Sequence, residues 1–270
     1  SVDHASVLTK TKSLHFSDDD PDVVPFVVKY AHPFTNAILC PDCLSFPKHE
    51  FKTIRYSGYH ELAYLHPNRF QPDPTVLNEV GVKPGQPFFI MRFNVFKAHH
   101  DIGIKGLSLE QKMVLIDLLK PHGKIFITVE REIEPELKPY QMPVSPEKAH
   151  SLLSFATLFL GDSQTMTSEA AVLGTPAIKC NSFAGKLSVP NELEKYGLCF
   201  SFLPDEFEKM VSKIKSLLSK PDLKAEWQIK KDKMLNDKID VTAFMEWFIE
   251  NYPASETILK QNPDYQDRFK

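Results

Sequence analysis

The sequence predicts an α/β protein with parallel sheets, on three observations. From Thr75 onward, short apolar runs alternate with helical patterns; polar turns follow the C-terminal ends of those runs; and 42% hydrophobic residues in 270 suffice for packed cores. Alternation of this kind builds βαβ units with helices on both faces of a sheet.

The elements follow in order. The first seventy residues hold a strand over 13–16, a helix over 21–31, and strands over 37–40 and 53–56, too little for a complete nucleotide-binding unit. A proline-rich stretch, 67–74, reads as a linker. The run 87–93 is apolar and ends on a charge, as suits a buried strand opening into a site. A helix over 108–120 follows, with Ser108 as its cap and Gln111 at the capping-box position. The strand 124–129 runs into Glu130, Arg131 and Glu132. Next come a helix over 145–154 opened by Pro146, a strand over 156–161, a helix over 163–173 and a strand over 175–180. A short helix over 192–196, a strand over 199–203 and an amphipathic helix over 205–219 complete the alternation. The helix 241–252 is strongly apolar and is expected to pack back on the first unit. The domains expected are thus 1–70, 75–235 and a helical tail over 236–270.

Composition excludes several classes. Thirty-two basic against 35 acidic residues, a net charge of −3, leave no broad cationic surface for nucleic acid. No apolar run approaches the ~18 to 20 residues that span a bilayer, and no charged-then-apolar leader is seen, so a cytoplasmic protein is expected. Of the four cysteines only Cys40 and Cys43 are close, and they offer two of the four ligands zinc normally takes. Cys180 and Cys199 lie in apolar stretches and read as buried thiols. No metal is expected.

The chemistry concentrates in 161–176, Gly-Asp-Ser-Gln-Thr-Met-Thr-Ser-Glu-Ala-Ala-Val-Leu-Gly-Thr-Pro. A parallel sheet puts this polar turn at its C-terminal edge, where ligands bind in open α/β folds. The free N–H groups and the positive dipole end of the following helix favour an anion. Ser163, Gln164 and Thr165 are placed to meet a diphosphate, and Glu169, about one and a half turns on, is an acceptor suited to a ribose diol. A plain helix cap by Asp162 or Ser163 is the alternative. Arg92, at the end of the strand 87–93, has the fork that pairs phosphate oxygens.

The segment resembles the donor-binding motif of GT-B-fold proteins, above all the non-hydrolysing UDP-N-acetylglucosamine 2-epimerases, whose pattern is roughly Asp-Ser-Gly-Gly, two acidic residues, Ala, and Leu-Gly-Lys-Pro. Gln164 and Thr165 replace the paired glycines of that pattern. The whole chain resembles a prokaryotic family related to those epimerases, through Tyr59-His-Glu-Leu-Ala-Tyr-Leu65 and Met91-Arg-Phe-Asn-Val-Phe-Lys-Ala-His-His-Asp101, a match that implies no particular activity. The resemblance implies a GT-B-like α/β fold of two Rossmann-like units with parallel sheets, the N-terminal one incomplete by about a hundred residues. It also implies a nucleotide sugar, a UDP-sugar, as substrate without a cofactor.

Candidate catalytic residues are Asp18 and Asp19, which with Asp20 follow the first strand where the epimerases carry a carboxylate, and His99 and His100 after the strand of Arg92. The three aspartates equally suit a helix start before Pro21, and the histidines a solvated loop. The epimerases' Gly-His-Arg-Arg-Glu-Asn pattern is absent. The function expected is a glycosyltransferase of polysaccharide biosynthesis acting in the cleft between the units, with a sugar epimerase and a non-catalytic nucleotide-sugar-binding protein as alternatives. A homodimer is left open.

Overall fold

The structure is a computed structural model that describes residues 2–93, 106–129 and 133–270. The chain forms two compact units: Ser1–Phe70 with Leu187–Val189 and Met234–Lys270, and Gln71–Lys186 with Pro190–Lys233.

Unit 1 opens with α1 (Val2–Thr9), β1 (Leu14–Phe16), α2 (Pro25–Tyr30), β2 (Ala37–Pro41), β3 (Thr53–Tyr56) and α3 (Leu62–Leu65). Its three strands are parallel in the order β1-β2-β3, with Phe16 beside Leu39 and Leu39 beside Ile54. The central strand β2 is buried along its whole length, as its unbroken apolar sequence requires. Ile38 and Cys40 pack with Leu44 and Phe46.

The helix expected over 21–31 is cut to Pro25–Tyr30. Pro25 is its first residue, and the ring clash that proline imposes on its predecessor holds Val24 at φ −117°, ψ 49°, outside the helix. The three aspartates therefore do not cap it. The carbonyl of Asp20 closes a turn by accepting from the N–H of Val23 at 2.9 Å, and its carboxylate accepts from the N–H and hydroxyl of Ser188 at 2.8 and 2.5 Å.

His32 is fully buried, and among the described residues neither of its ring nitrogens has a hydrogen-bond partner. It packs edge-on to His15 (4.7 Å between ring centres), Phe46 (5.3 Å) and His49 (5.5 Å). Burial, then His15 and His49, push its pKa down to about 4. Lys52, also buried, ties the adjoining turn by donating to the carbonyls of His32 (2.6 Å), Pro33 (3.3 Å) and Thr35 (2.9 Å).

Unit 2 carries α4 (Val76–Glu79), β4 (Phe88–Phe93), α5 (Leu109–Leu119), β5 (Lys124–Val129), α6 (Ala149–Phe155), β6 (Leu158–Gly161), α7 (Gln164–Leu173), β7 (Ala177–Cys180), all of α8 (Ser188–Lys195) but its first residues, β8 (Cys199–Phe202), α9 (Phe207–Leu218) and all of α10 (Leu223–Asp237) but its last residues. Its five strands are all parallel, in the order β5-β4-β6-β7-β8. The chain thus adds β5 on one side of β4 and then crosses to build the rest on the other.

The capping box of α5 is formed: Ser108 Oγ accepts from Gln111 N–H at 3.2 Å and Gln111 Oε1 from Ser108 N–H at 3.0 Å. Pro146 opens a single 3₁₀ turn, Pro146–Lys148, ahead of α6. Where sequence expects a short helix over 192–196, α8 begins at Ser188, since a proline such as Pro190 is tolerated in a first turn. The helix α10 is mostly polar and has no sequence signal of its own. It is anchored by Trp227, fully buried, whose indole N–H donates to the Leu198 carbonyl at 2.8 Å. None of the four cysteines is in a disulfide, and burial pushes the thiols of Cys40 and Cys180 up to about 12.

The chain returns to unit 1 with α11 (Val241–Glu250) and α12 (Ala254–Gln261). Asp240 caps α11 by accepting from Ala243 N–H at 3.0 Å and pairs with Arg69 at 3.2 Å. Phe244 and Phe248 are fully buried, and Phe244 stacks at a tilt on Tyr56 at 5.7 Å. At Gly58 an added Cβ would lie 2.5 Å from Val241 Cγ2, so the approach of this helix requires the glycine. No described helix is long and apolar enough to cross a membrane.

A histidine buried neutral protonates more readily once unfolded, so its stabilising effect is complete above pH 6.5 and is lost as pH falls toward 4. Between pH 7 and pH 5 His32 is expected to remove about 2 kcal/mol, read as a drop in the urea midpoint that His32→Leu abolishes. A midpoint equally pH-dependent in both proteins would contradict this.

Candidate functional site

The candidate site is built where β4 and β6 meet. Strand register sets Arg92 beside Thr128 on one side and Gly161 on the other, Gly161 beside Lys179, and Lys179 beside Ser201. Directly paired residues of parallel strands face the same way, so these five form one row across the sheet, one residue per strand, near its C-terminal edge. Arg92 Nη1 donates to Thr128 Oγ1 at 3.0 Å, which orients the guanidinium along this row.

The row closes tightly at its middle. A Cβ on Gly161 would fall 2.2 Å from the Arg92 carbonyl oxygen, a backbone atom that cannot swing aside. The next amide, of Asp162, donates to that same oxygen at 3.1 Å. The Asp162 carbonyl in turn accepts from Asn181 Nδ2 at 2.8 Å, so the turn leaving β6 is braced by the turn leaving β7.

Out of this turn rises α7. Ser163 is its N-cap, with extended backbone (φ −74°, ψ 124°), a side chain that accepts from Met166 N–H at 3.5 Å, and a carbonyl that accepts from Thr167 Oγ1 at 2.6 Å. Gln164 is half-buried and Thr165 exposed in the first turn. Glu169 is buried, and its Oε1 lies 3.0 Å from His150 Nε2 of α6. The Gly-Thr-Pro turn ends the helix: Gly174 takes the left-handed conformation (φ 82°) that a C-cap needs, and Thr175 Oγ1 donates to the Leu153 carbonyl at 2.7 Å.

The structure thus gathers Arg92, Ser163, Gln164 and Thr165 at one sheet edge and sets Glu169 a turn higher, already beside a histidine. Asp18 and Asp19 follow β1 in unit 1, both exposed; partial burial, then Asp18 and Asp20, raise the Asp19 carboxyl above the usual carboxylate range. His99, His100 and Asp101 lie outside the described residues.

Two residues at this edge were not singled out from sequence. Lys179 is wholly buried and donates to Gln164 Oε1, and burial, opposed by Cys199 and Glu194, brings its pKa down to about 8. A lone lysine within the apolar strand Ala-Ile-Lys-Cys was its only signal. His150 carries no sequence signal, because its pairing with Glu169 joins different helices. Chemically, the edge combines free N–H groups at the start of a ten-residue helix with two cations on the flanking strands, an arrangement that stabilises a multiply charged anion.

No family model matches the sequence, and no curated protein matches it. Solved structures do match in fold. A UDP-GlcNAc 2-epimerase from Methanocaldococcus jannaschii aligns with a TM-score of 0.55 at 15% identity, over 81% of this chain and 67% of its own. A glycosyltransferase of kitacinnamycin aligns with a TM-score of 0.51 at 10% identity, over 92% and 72%. The MnaA protein of S. aureus, solved with UDP, aligns with a TM-score of 0.52 at 10% identity, over 85% and 64%. The chain therefore spans about two thirds of the length of these proteins, and its fold is GT-B-like, of the kind shared by glycosyltransferases and UDP-GlcNAc 2-epimerases.

Because the Gly161 contact is backbone against backbone, Gly161→Ala is expected to cost about 2 to 3 kcal/mol in urea unfolding. A loss below about 0.5 kcal/mol, the range of ordinary surface substitutions, would contradict the tight strand approach.

Proposed function

We propose that this chain binds a nucleotide sugar, with UDP as the nucleotide, at the C-terminal edge of its five-stranded sheet, and works in the cytoplasm as a glycosyltransferase of polysaccharide biosynthesis. The observation that carries the reading is the reversal of strand order between β4 and β6. In open parallel sheets the crevice at such a switch is where ligands bind. Here it is flanked by Arg92 at the end of β4 and by the N-terminus of α7 after β6. That a fold neighbour was solved with UDP supports the choice of nucleotide.

In this reading the first-turn N–H groups of α7, the backbone N–H of Gln164 among them, hold the diphosphate together with the hydroxyls of Ser163 and Thr165, and Arg92 offsets its charge. Transfer of the sugar leaves the nucleoside diphosphate with a full added negative charge, so groups fixed at that position favour the transition state over the bound donor. No metal or cofactor enters the proposal. Glu169, whose Oε1 lies beside His150, is a carboxylate acceptor suited to the ribose diol. The base that takes the acceptor's proton is assigned to Asp19 or its neighbour Asp18, with His99 and His100 as the other candidates, and the raised Asp19 carboxyl suits that task.

A second reading, sugar epimerisation, is favoured by the epimerase neighbours. Against it, the stretch after β4 reads Asn-Val-Phe-Lys-Ala-His-His-Asp and lacks the Gly-His-Arg-Arg-Glu-Asn pattern.

Calorimetry with UDP and UDP-sugars is expected to show binding to the wild type, weakened about tenfold in Glu169→Ala, the worth of one hydrogen bond to a charged group. Absence of heat with every nucleotide would overturn the donor site. Incubated with UDP-N-acetylglucosamine in deuterated water without acceptor, the protein is expected to leave the sugar's C2 unlabelled; deuterium there would select the epimerase reading.

A further inference from the structure

Lys179 is out of place by the ordinary rules of burial. Lysine is almost never fully buried unless paired, yet this one is wholly inaccessible, and among the described residues no carboxylate lies within ion-pair distance of it. An ammonium group carries three donors. Among the described residues its acceptor is one neutral amide oxygen, that of Gln164. A buried charge so poorly matched destabilises the folded chain, and a strand that only had to fold would do better with an apolar residue.

Three features fix what would match it. Lys179 shares a row with Arg92, the two cations standing on either side of Gly161, and that glycine leads directly into α7. Its ammonium reaches the first residue of α7, beside the helix's free N–H groups. The acceptor it uses is a half-buried side chain with rotamers to spare, not a fixed backbone carbonyl.

We propose that Lys179 is the second cation of the donor site, pairing directly with a phosphate oxygen of the nucleoside diphosphate, and that the Gln164 side chain occupies the ammonium until the anion arrives. This rests on the donor-site reading above and adds a ligand-binding residue to it. When the diphosphate enters, Gln164 turns outward, the ammonium exchanges a neutral acceptor for a charged one, and the burial of its charge becomes compensated. It also gives Gln164 a reason to stand where related motifs carry glycine: a glycine at that position leaves a buried ammonium with nothing to donate to in the empty site.

The groups bearing on Lys179 are Gln164 from α7, Glu194 from α8 and Cys199 with its neighbour Ser201 from β8. The Cys199 thiol is pushed up by burial and stays protonated. With its pKa brought down to about 8, the lysine is largely neutral at pH 9 in the empty site; an adjacent anion restores the charge, so binding takes up a proton.

The test uses full-length protein, three probes (UDP, inorganic pyrophosphate and uridine) and three forms: wild type, Lys179→Met and Gln164→Ala. Lys179→Met is expected to weaken UDP and pyrophosphate about 10- to 100-fold, the range for a hydrogen bond to a charged group, to leave uridine unchanged, and to keep or raise the melting temperature of the empty protein. Calorimetry at pH 9 in two buffers of different ionisation enthalpy should show proton uptake on UDP binding by wild type and none by Lys179→Met. Gln164→Ala, a change at a half-buried position, is expected to bind pyrophosphate at least as tightly as wild type. Wild-type UDP affinity in Lys179→Met, or a lowered melting temperature with affinity intact, would overturn the role of Lys179 while leaving the donor site standing. Weakened pyrophosphate binding in Gln164→Ala would overturn the placeholder role. Failure of wild type to bind UDP or pyrophosphate would remove the donor site and this inference with it.

Discussion

The contact on which the rest of unit 2 depends is the one between Gly161 and the backbone of Arg92. No side chain fits there, and none is present. Because β6 can approach β4 this closely, the sheet closes across its point of reversal, the amide of Asp162 finds the Arg92 carbonyl, and α7 starts from a fixed position. The electrostatics of the edge follow from that position. The helix N-terminus, Arg92 and Lys179 are held by backbone register, and their spacing does not have to be achieved by long, mobile side chains from loops.

Much of this edge is costly to stability and makes sense as preparation. Lys179 is buried with no charged partner among the described residues, and Glu169 is buried against a histidine that is charged only when protonated. Stable folds reduce such features, and sites that bind ions accumulate them. Unit 1 carries the opposite kind of burial. Lys52 spends its three donors on three carbonyls, a satisfied structural arrangement, beside His32, whose ring packs edge-on against aromatic and imidazole neighbours.

Sequence conveyed the elements of unit 2 well because they are coded locally. Ser108 and Gln111 form a capping box within one turn, Ser163 caps α7, and the apolar runs at β4, β5 and β6 admit little but buried strand. What it conveyed poorly depends on chain neighbours or on distant partners. The helix after Asp20 begins late because Pro25 dictates the geometry of Val24, and α10 is recognisable only through Trp227 reaching Leu198. The order of strands, on which the functional reading rests, has no local code at all. The motif 161–176 lies at the C-terminal edge of the sheet, where its sequence places it, but the partners of Gln164 and Glu169 come from β7 and α6 and were invisible in it.

The central claim is that a nucleoside diphosphate sits on the N-terminus of α7. Amide hydrogen exchange with and without UDP addresses it most directly, since the first-turn amides of a helix have no intrahelical acceptors and exchange freely unless a ligand covers them. Saturating UDP is predicted to slow exchange at Gln164 and Thr165, the first-turn amides that the Ser163 cap leaves uncovered, while leaving the first turn of α5 unchanged. UDP bound with no added protection in the first turn of α7 would contradict the account.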